Sequence, residues 1–325
     1  MKEPRALVRC AAAGVLLALA VLAPASAKPP PNLNPPPVAL EGLRLLYSGD
    51  PDAAIERFSE LERQQPGYPM GYLLEAEARW WKIVCTSAEF KWGMTDTWHR
   101  DKLPEDGAYL TLVDKAISLA EEQLKKADSA EMHFHAGMGY ALKTRLYGLR
   151  EERRAAARVG VRAREHLLKA FELDPSLADA YTGVGLYNYY VDTLSALAKM
   201  LRFFMGIPGG SKREGIRQLE KAMTDGVITS AEARYYLARN LRNYDRDYEH
   251  ALGVLSPLVA QYPANPLFQL AMGDLNAKLN RKEKAAAYYR AAAALPLRDP
   301  ACRARIERLV RESLAALGPA FTASP

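Results

Sequence analysis

Only three cysteines occur in 325 residues, and no C-x-x-C pair is among them. A dithiol redox centre and a cysteine-based zinc site are therefore excluded on spacing alone. Nor does the chain hold G-x-S-x-G, H-E-x-x-H or a Walker loop, so the nucleophile elbow, the zinc-protease helix and the P-loop phosphate cradle are missing. The glycines from Gly206 to Gly210 lack the G-K-[ST] continuation and follow no strand pattern. Long apolar runs are absent as well. The best, Ala11 to Ala23, has 13 residues, short of the roughly 20 that cross a bilayer. From Val38 onward no useful stretch alternates with a period of two, which excludes a sheet. The basic excess, formally +6, is spread along the chain, so no dedicated nucleic-acid surface is expected.

What is present begins with the N-terminus. Lys2, Arg5 and Arg9 precede the short apolar run, and Ala25-Ser26-Ala27 follows it. These are the parts of a cleavable export signal. Cleavage after Ala27 leaves 298 residues and, without Lys2, Arg5, Arg9 and Glu3, a net charge of +4. The expected location is periplasmic or secreted. Cys85 and Cys302 remain. Both fall on expected helices near opposite ends of the molecule, so free, buried thiols are expected, with a disulfide as the alternative. Residues 28–37, KPPPNLNPPP, cannot be helical and read as an extended linker.

Beyond the linker, apolar residues recur three and four apart, and a repeat of about 34 residues emerges. Gly42, Ala54, Phe58 and Pro66 are spaced as positions 8, 20, 24 and 32 of one unit, with Asp50-Pro51 as N-cap and first helical residue. Gly273, Ala285, Tyr289 and Ala292, then Pro296, mark another. Ala163, Leu167, Ala170 and Pro175 mark a second helix, as do Ala251, Leu255 and Pro263, whose partner helix opens at a Thr229–Glu232 capping box. Small residues let paired helices approach, and a large one fills the gap. In this the chain resembles the tetratricopeptide-repeat superfamily. The expected fold is an all-α solenoid of about six hairpins, near 35–68, 69–128, 129–177, 178–228, 229–265 and 266–299. A capping helix at 300–317 and a tail at 318–325 complete the body.

Three central units are too long. The excess is 28 residues before Ala116, 14 before Ala163 and 18 before Gly215, each between the two helices of a hairpin. The 14 lengthen both helices of 130–173 by about two turns, with a charged turn at Arg150 to Arg154. Residues 83–110 read as a folded loop on which Trp80, Trp81, Trp92 and Trp98 cluster. The 18 contain an amphipathic helix over 192–205, with Leu194, Leu197, Leu201 and Phe204 opposite Ser195, Lys199 and Arg202. That stripe is expected to bury against the 130–173 hairpin.

Gly183-Val-Gly185-x-Tyr-Asn188, Leu201-Arg202-Phe203 with Gly206, and Gly209-Gly210 followed by Arg213-Glu214-Gly215 and Gln218-Leu219 form a block similar to one in the tetratricopeptide repeat protein 39 and inclusion-body clearance family. That likeness implies a repeat architecture without an enzymatic role. The export signal and proline linker depart from it, so location and client do not carry over.

First helices line the concave face of such a solenoid. This places Trp81, Lys82, Phe134, Met138, Thr182, Tyr189, Tyr190, Tyr235, Arg239, Arg242 and Asn243 on one wall, a mixture of rings, arginines and amides suited to a peptide or partner helix. Packing of several tyrosines against the extra helices is the competing use of the same residues. The functional expectation is an exported, non-enzymatic scaffold that holds a protein partner there, with no cofactor, no metal and no catalytic residue. The alternative is a membrane-peripheral protein whose 192–207 helix contacts lipid through Leu197, Leu201 and Phe204. His133 and His135, two apart on a helix, point to different sides and cannot share a metal.

Overall fold

Proline, abundant in this chain, sits where a helix can use it. The computed structural model describes residues 33–87, 102–204 and 206–322, with only the backbone given for Leu201. The export segment, the first half of the linker, Trp92, Trp98 and the middle of the 83–110 insert lie outside the described residues. Six of the fourteen α-helices among the described residues begin with proline, whose missing N–H costs nothing at the first position. In chain order they are α1 Pro37–Tyr47, α2 Pro51–Gln64, α3 Pro69–Ser87, α4 Pro104–Leu124, α5 Ala130–Leu149, α6 Arg153–Leu173 and α7 Ala180–Thr193. Then come α8 Ala196–Phe204, α9 Lys212–Asp225, α10 Ser230–Asn240, α11 Tyr248–Gln261, α12 Pro266–Lys278, α13 Lys282–Ala294 and α14 Pro300–Leu317. No strand occurs among the described residues. Asp50, Ser211, Asp247, Asn265 and Asp299 cap the helices that follow them with their side chains.

The helices pair as six hairpins, α1/α2, α3/α4, α5/α6, α7/α9, α10/α11 and α12/α13, with α14 as the cap. The repeat positions carry the pairing. A Cβ added at Gly273 would lie 2.5 Å from the Tyr289 ring, and one at Gly215 would lie 2.6 Å from the Gly185 carbonyl. The α5/α6 hairpin is lengthened, at 20 and 21 residues against 11 and 14 in α1/α2. The 18-residue excess instead builds a separate helix, α8.

Outer and inner helices differ in what they bury. Outer α2 buries a narrow stripe, Ala54, Phe58 and Leu61, as a helix packed on one side must. Inner α12 buries ten residues all round, among them Gln269, Asp274 and Asn276. Its second side is covered because the row of hairpins closes on itself. Helix α14 returns to α3, where Cys85 and Cys302, 217 residues apart, form a disulfide with Cα atoms 5.3 Å apart. Arg305 donates to the Val84 and Cys85 carbonyls at 3.1 and 2.6 Å, satisfying the C-terminal end of α3. Lys82 reaches Asp52 at 2.6 Å and Asp299 at 3.6 Å. Asn265, the cap of α12, donates to the Tyr47 carbonyl at the end of α1.

Several local expectations are thereby corrected. The cysteines are near in space and paired, because closure joins the two ends that an open solenoid would hold apart. Thr229 does not cap α10 with its side chain. Instead Asp179, from the previous hairpin, accepts from the amides of Val227, Ile228 and Thr229 at 2.8–3.0 Å, and Glu232 turns inward to Arg145. The turn expected at Arg150 is present, and there Arg150 is buried against Asp106 at 2.6–2.7 Å. Trp80 and Trp81 belong to the interior, where Trp80 Nε1 donates to Tyr236 Oη at 2.8 Å, and Trp81 packs on Tyr235 and Phe268.

Replacing both Cys85 and Cys302 with serine should lower unfolding stability by roughly 2–5 kcal/mol. Denaturant titration with and without dithiothreitol should show the wild-type protein converging on the variant when reduced. Asp179→Ala strands three amides and should cost about 3 kcal/mol in the same titration.

Candidate functional site

The closed row encloses most of the residues expected on the concave wall. Of the eleven residues expected on the concave wall, Trp81, Phe134, Met138, Thr182, Tyr189, Tyr235 and Arg242 are buried. Lys82, Tyr190, Arg239 and Asn243 are half-buried. Their hydrogen bonds are internal. Trp81 Nε1 donates to Glu77 at 2.8 Å, Thr182 to Thr229 at 2.9 Å and Tyr190 to Asn240 Oδ1 at 2.9 Å. Arg242 pairs with buried Asp274 and donates to Asn243 at 2.7 Å. A cavity of about 30 Å³ remains among Leu43, Tyr47, Glu77, Phe134, Met138 and Glu232. That holds a water molecule or two, not a peptide.

The interior is polar as well as aromatic. Arg145 lies over the Trp80 ring at 4.6 Å and the Tyr236 ring at 5.6 Å. Its guanidinium binds Glu77 and, at 2.7 Å, Glu232. Burial and the Glu77 charge push the Glu232 carboxyl upward, and Arg145 opposes them. Burial likewise pushes Asp274 up to about 6, against the pull of Arg242 and Lys278. One cation shared between two carboxylates joins α3, α5 and α10. These residues lie 68 and 87 apart in sequence, and no local pattern announces their meeting.

Outside this core one element stands apart, the α8 insert between α7 and α9. Its base is clamped. Asp192 accepts from Lys199 Nζ at 3.0 Å and from the Lys212 amide at 2.8 Å, which hold its carboxyl below the ordinary value. Lys212 pairs with Asp245, and Tyr189 donates to the same carboxylate at 2.6 Å. A π-helical turn, Leu241–Asp245, brings Asp245 there. Tyr187 donates to the Pro208 carbonyl at 2.8 Å, and Arg202 to that of Ile207 at 2.7 Å. Tyr189 thus supports the insert, while Tyr190 bonds Asn240 and Arg239 lies over the Tyr236 ring.

Above that base, α8 lays no extended face on another helix. Leu194 is 41% exposed, Leu197 62%, Met200 50%, Phe203 75% and Phe204 77%. The expectation that this stripe buries against the 130–173 hairpin is overturned. The flank of that hairpin is occupied by α7, where Tyr181 packs on Phe171 at 4.2 Å, so α8 projects from the far end of α7. At about 100° per residue, the exposed apolar side chains take one half of the helix, while Lys199 and Arg202 face the body. The Leu201 side chain lies outside the described residues.

His133 and His135 do point apart. His133 meets His166 of α6, Nδ1 to Nδ1 at 2.9 Å, and Asp128 at 2.9 Å, a pairing 33 residues apart that local spacing does not reveal. His135 is fully buried, packed edge-on against Tyr68, and neither ring nitrogen has a hydrogen-bond partner. Burial lowers its pKa from 6.5 to about 3. The native state therefore binds fewer protons than the unfolded chain between those values, and stability falls as pH drops through 6.5 toward 3. His135→Leu should flatten that slope and raise the thermal midpoint at pH 4–5 while changing it little at pH 8, as read by differential scanning calorimetry.

Comparison with known proteins adds a family and two distant likenesses. No curated protein matches the sequence. A family model described as RMD1-3, Regulator of microtubule dynamics protein 1-3, matches residues 86–266, a span that contains both the lengthened hairpin and α8. Its name differs from the family that the block at 183–219 resembles. Among solved structures, a monomeric IFIT1 mutant with Gppp-AAAA is 12% identical, with a TM-score of 0.30 over 75% of this chain and 67% of that one. Yeast Tom70 is 12% identical, with a TM-score of 0.29 over 85% and 88%.

Proposed function

Because the chain belongs to the family of regulators of microtubule dynamics 1-3, whose model spans more than half of it, we propose that it uses that family's helical body as an exported, non-enzymatic docking module. Its contact element is α8, not a groove. The observation that carries this reading is the row of exposed apolar side chains from Leu194 to Phe204 on a clamped base, beside an interior already filled by its own residues. A projecting apolar helix of this kind is costly in water unless something covers it.

Export is supported by two independent features. The first 27 residues have the charged start, short apolar run and A-x-A end of a signal. The body holds a disulfide that joins its two ends, a bond that persists in oxidising compartments. The family's description speaks of microtubule dynamics. An exported chain does not meet cytoplasmic microtubules, so what this protein shares with its family is the repeat body, and the client differs. The likeness to the tetratricopeptide repeat protein 39 block fits the same reading, since it too covers the insert and implies architecture alone.

The test places a photocrosslinking amino acid at Phe204, or at buried Thr182, in the native host. Adducts at Phe204 and none at Thr182 are expected, on a protein whose N-terminus is Lys28 and whose mobility changes on reduction. Adducts at Thr182 alone would restore the groove, and a retained Met1 would overturn export.

A further inference from the structure

We propose that His133 and His166 form a one-proton clasp across the α5/α6 hairpin, which loosens the open end of that hairpin when a second proton binds. The contact is a hydrogen bond between two imidazoles. Nδ1 of His133 meets Nδ1 of His166 at 2.9 Å, and the ring centroids are 5.1 Å apart. The two nitrogens therefore point at each other. A bond of this kind needs one N–H and one lone pair. It forms when both rings are neutral, and it also forms when one of them is an imidazolium. With both rings charged, two N–H groups face each other and no acceptor remains between them.

The surroundings accommodate one charge and resist two. Nε2 of His133 lies 2.9 Å from Asp128 Oδ1, in the turn before α5. A proton on His133 is thus donated at both ends, to this carboxylate and to His166. Nε2 of His166 has no carboxylate partner among the described residues. Its ring stacks on Tyr140 of α5 at 5.6 Å, and Arg162 of α6 lies over the same tyrosine at 4.4 Å. Glu121 of α4 is the anion on this side, but Tyr140 Oη engages it at 2.6 Å and Arg162 at 3.0 Å. Lys169, further along α6, pairs with Glu172 at 2.7 Å. Burial, the His133 charge and Arg162 disfavour a proton on His166, with Glu121 opposing them, and its pKa lies below 6.5. The folded chain therefore binds fewer protons here than the unfolded chain. The clasp contributes its full stability above pH 6.5 and loses it as pH falls below that value. Both rings are half-buried, so protons reach them in the folded protein, whereas enclosed His135 must first be exposed. The clasp ties the first turn of α5 to α6 two turns from its end, and Asp128 ties both to the turn that follows α4.

Hydrogen exchange of the disulfide-bonded protein, corrected for intrinsic rates, tests this. Between pH 7.5 and pH 5, amides of residues 129–137 and 163–173 should lose about tenfold in protection, while those of α12 and α13 keep theirs. His166→Gln should retain protection at pH 5, because its amide can donate to His133 or accept from it. His135→Leu should leave the loss in place, which separates the clasp from the buried histidine. Histidine NMR of the wild-type protein should show the two rings titrating in separate steps. Equal protection at both pH values, or a loss that survives His166→Gln, overturns the clasp. An equal loss in every helix marks global acid unfolding and overturns it as well. Should His166→Gln fail to fold, the wild-type titration decides, and one step shared by both rings overturns the proposal.

Discussion

The return of α14 to α3 governs what every inner helix can do. Helical hairpins stacked in an open row leave one side of each first helix in water, and that side becomes a binding wall. Here the two ends of the row meet through the Cys85–Cys302 bond, the Arg305 contacts to the last carbonyls of α3, and the Lys82–Asp299 pair. Once they meet, the first helices face one another. Trp81, Phe134, Tyr189, Tyr235 and Phe268 then become core, and their area stabilises the fold instead of a complex.

Closure also explains the unusual polarity of the core. Residues suited to a wetted wall are enclosed, so each has to find a partner inside. Arg145 satisfies Glu77 and Glu232 together, Arg242 meets Asp274, and Tyr236 serves both Trp80 and Arg145. Burial and the neighbouring Glu77 charge raise Glu232 toward its neutral form against the pull of Arg145, which limits the charge held in the interior. His135 is the exception, enclosed with no partner for either nitrogen, and it remains neutral for that reason.

With these residues enclosed, the α8 insert stands out among the described residues as a segment whose apolar side chains are exposed. Its clamp uses residues from three places in the chain, Asp192, Lys212 and Asp245. The π-helical turn after α10 contributes the last of these. The insert is therefore held by the same hairpins that close the body.

Much of this protein is legible in its sequence. Helix period, proline at helix starts and the small–large pairs Gly42–Phe58, Gly137–Leu167 and Gly273–Tyr289 determined an all-helical chain of six hairpins and a cap, because each acts between residues close in sequence. The amphipathic pattern of α8 and the divergence of His133 and His135 belong to the same class. What α8 faces, which cysteines pair, and whether Tyr189 and Arg242 line a groove or fill a core were decided by the tertiary structure alone. A repeat specifies how each hairpin meets the next. The small rotation at each step adds up over six hairpins, and only the sum decides whether the row stays open or its ends, 217 residues apart at the cysteines, come into contact.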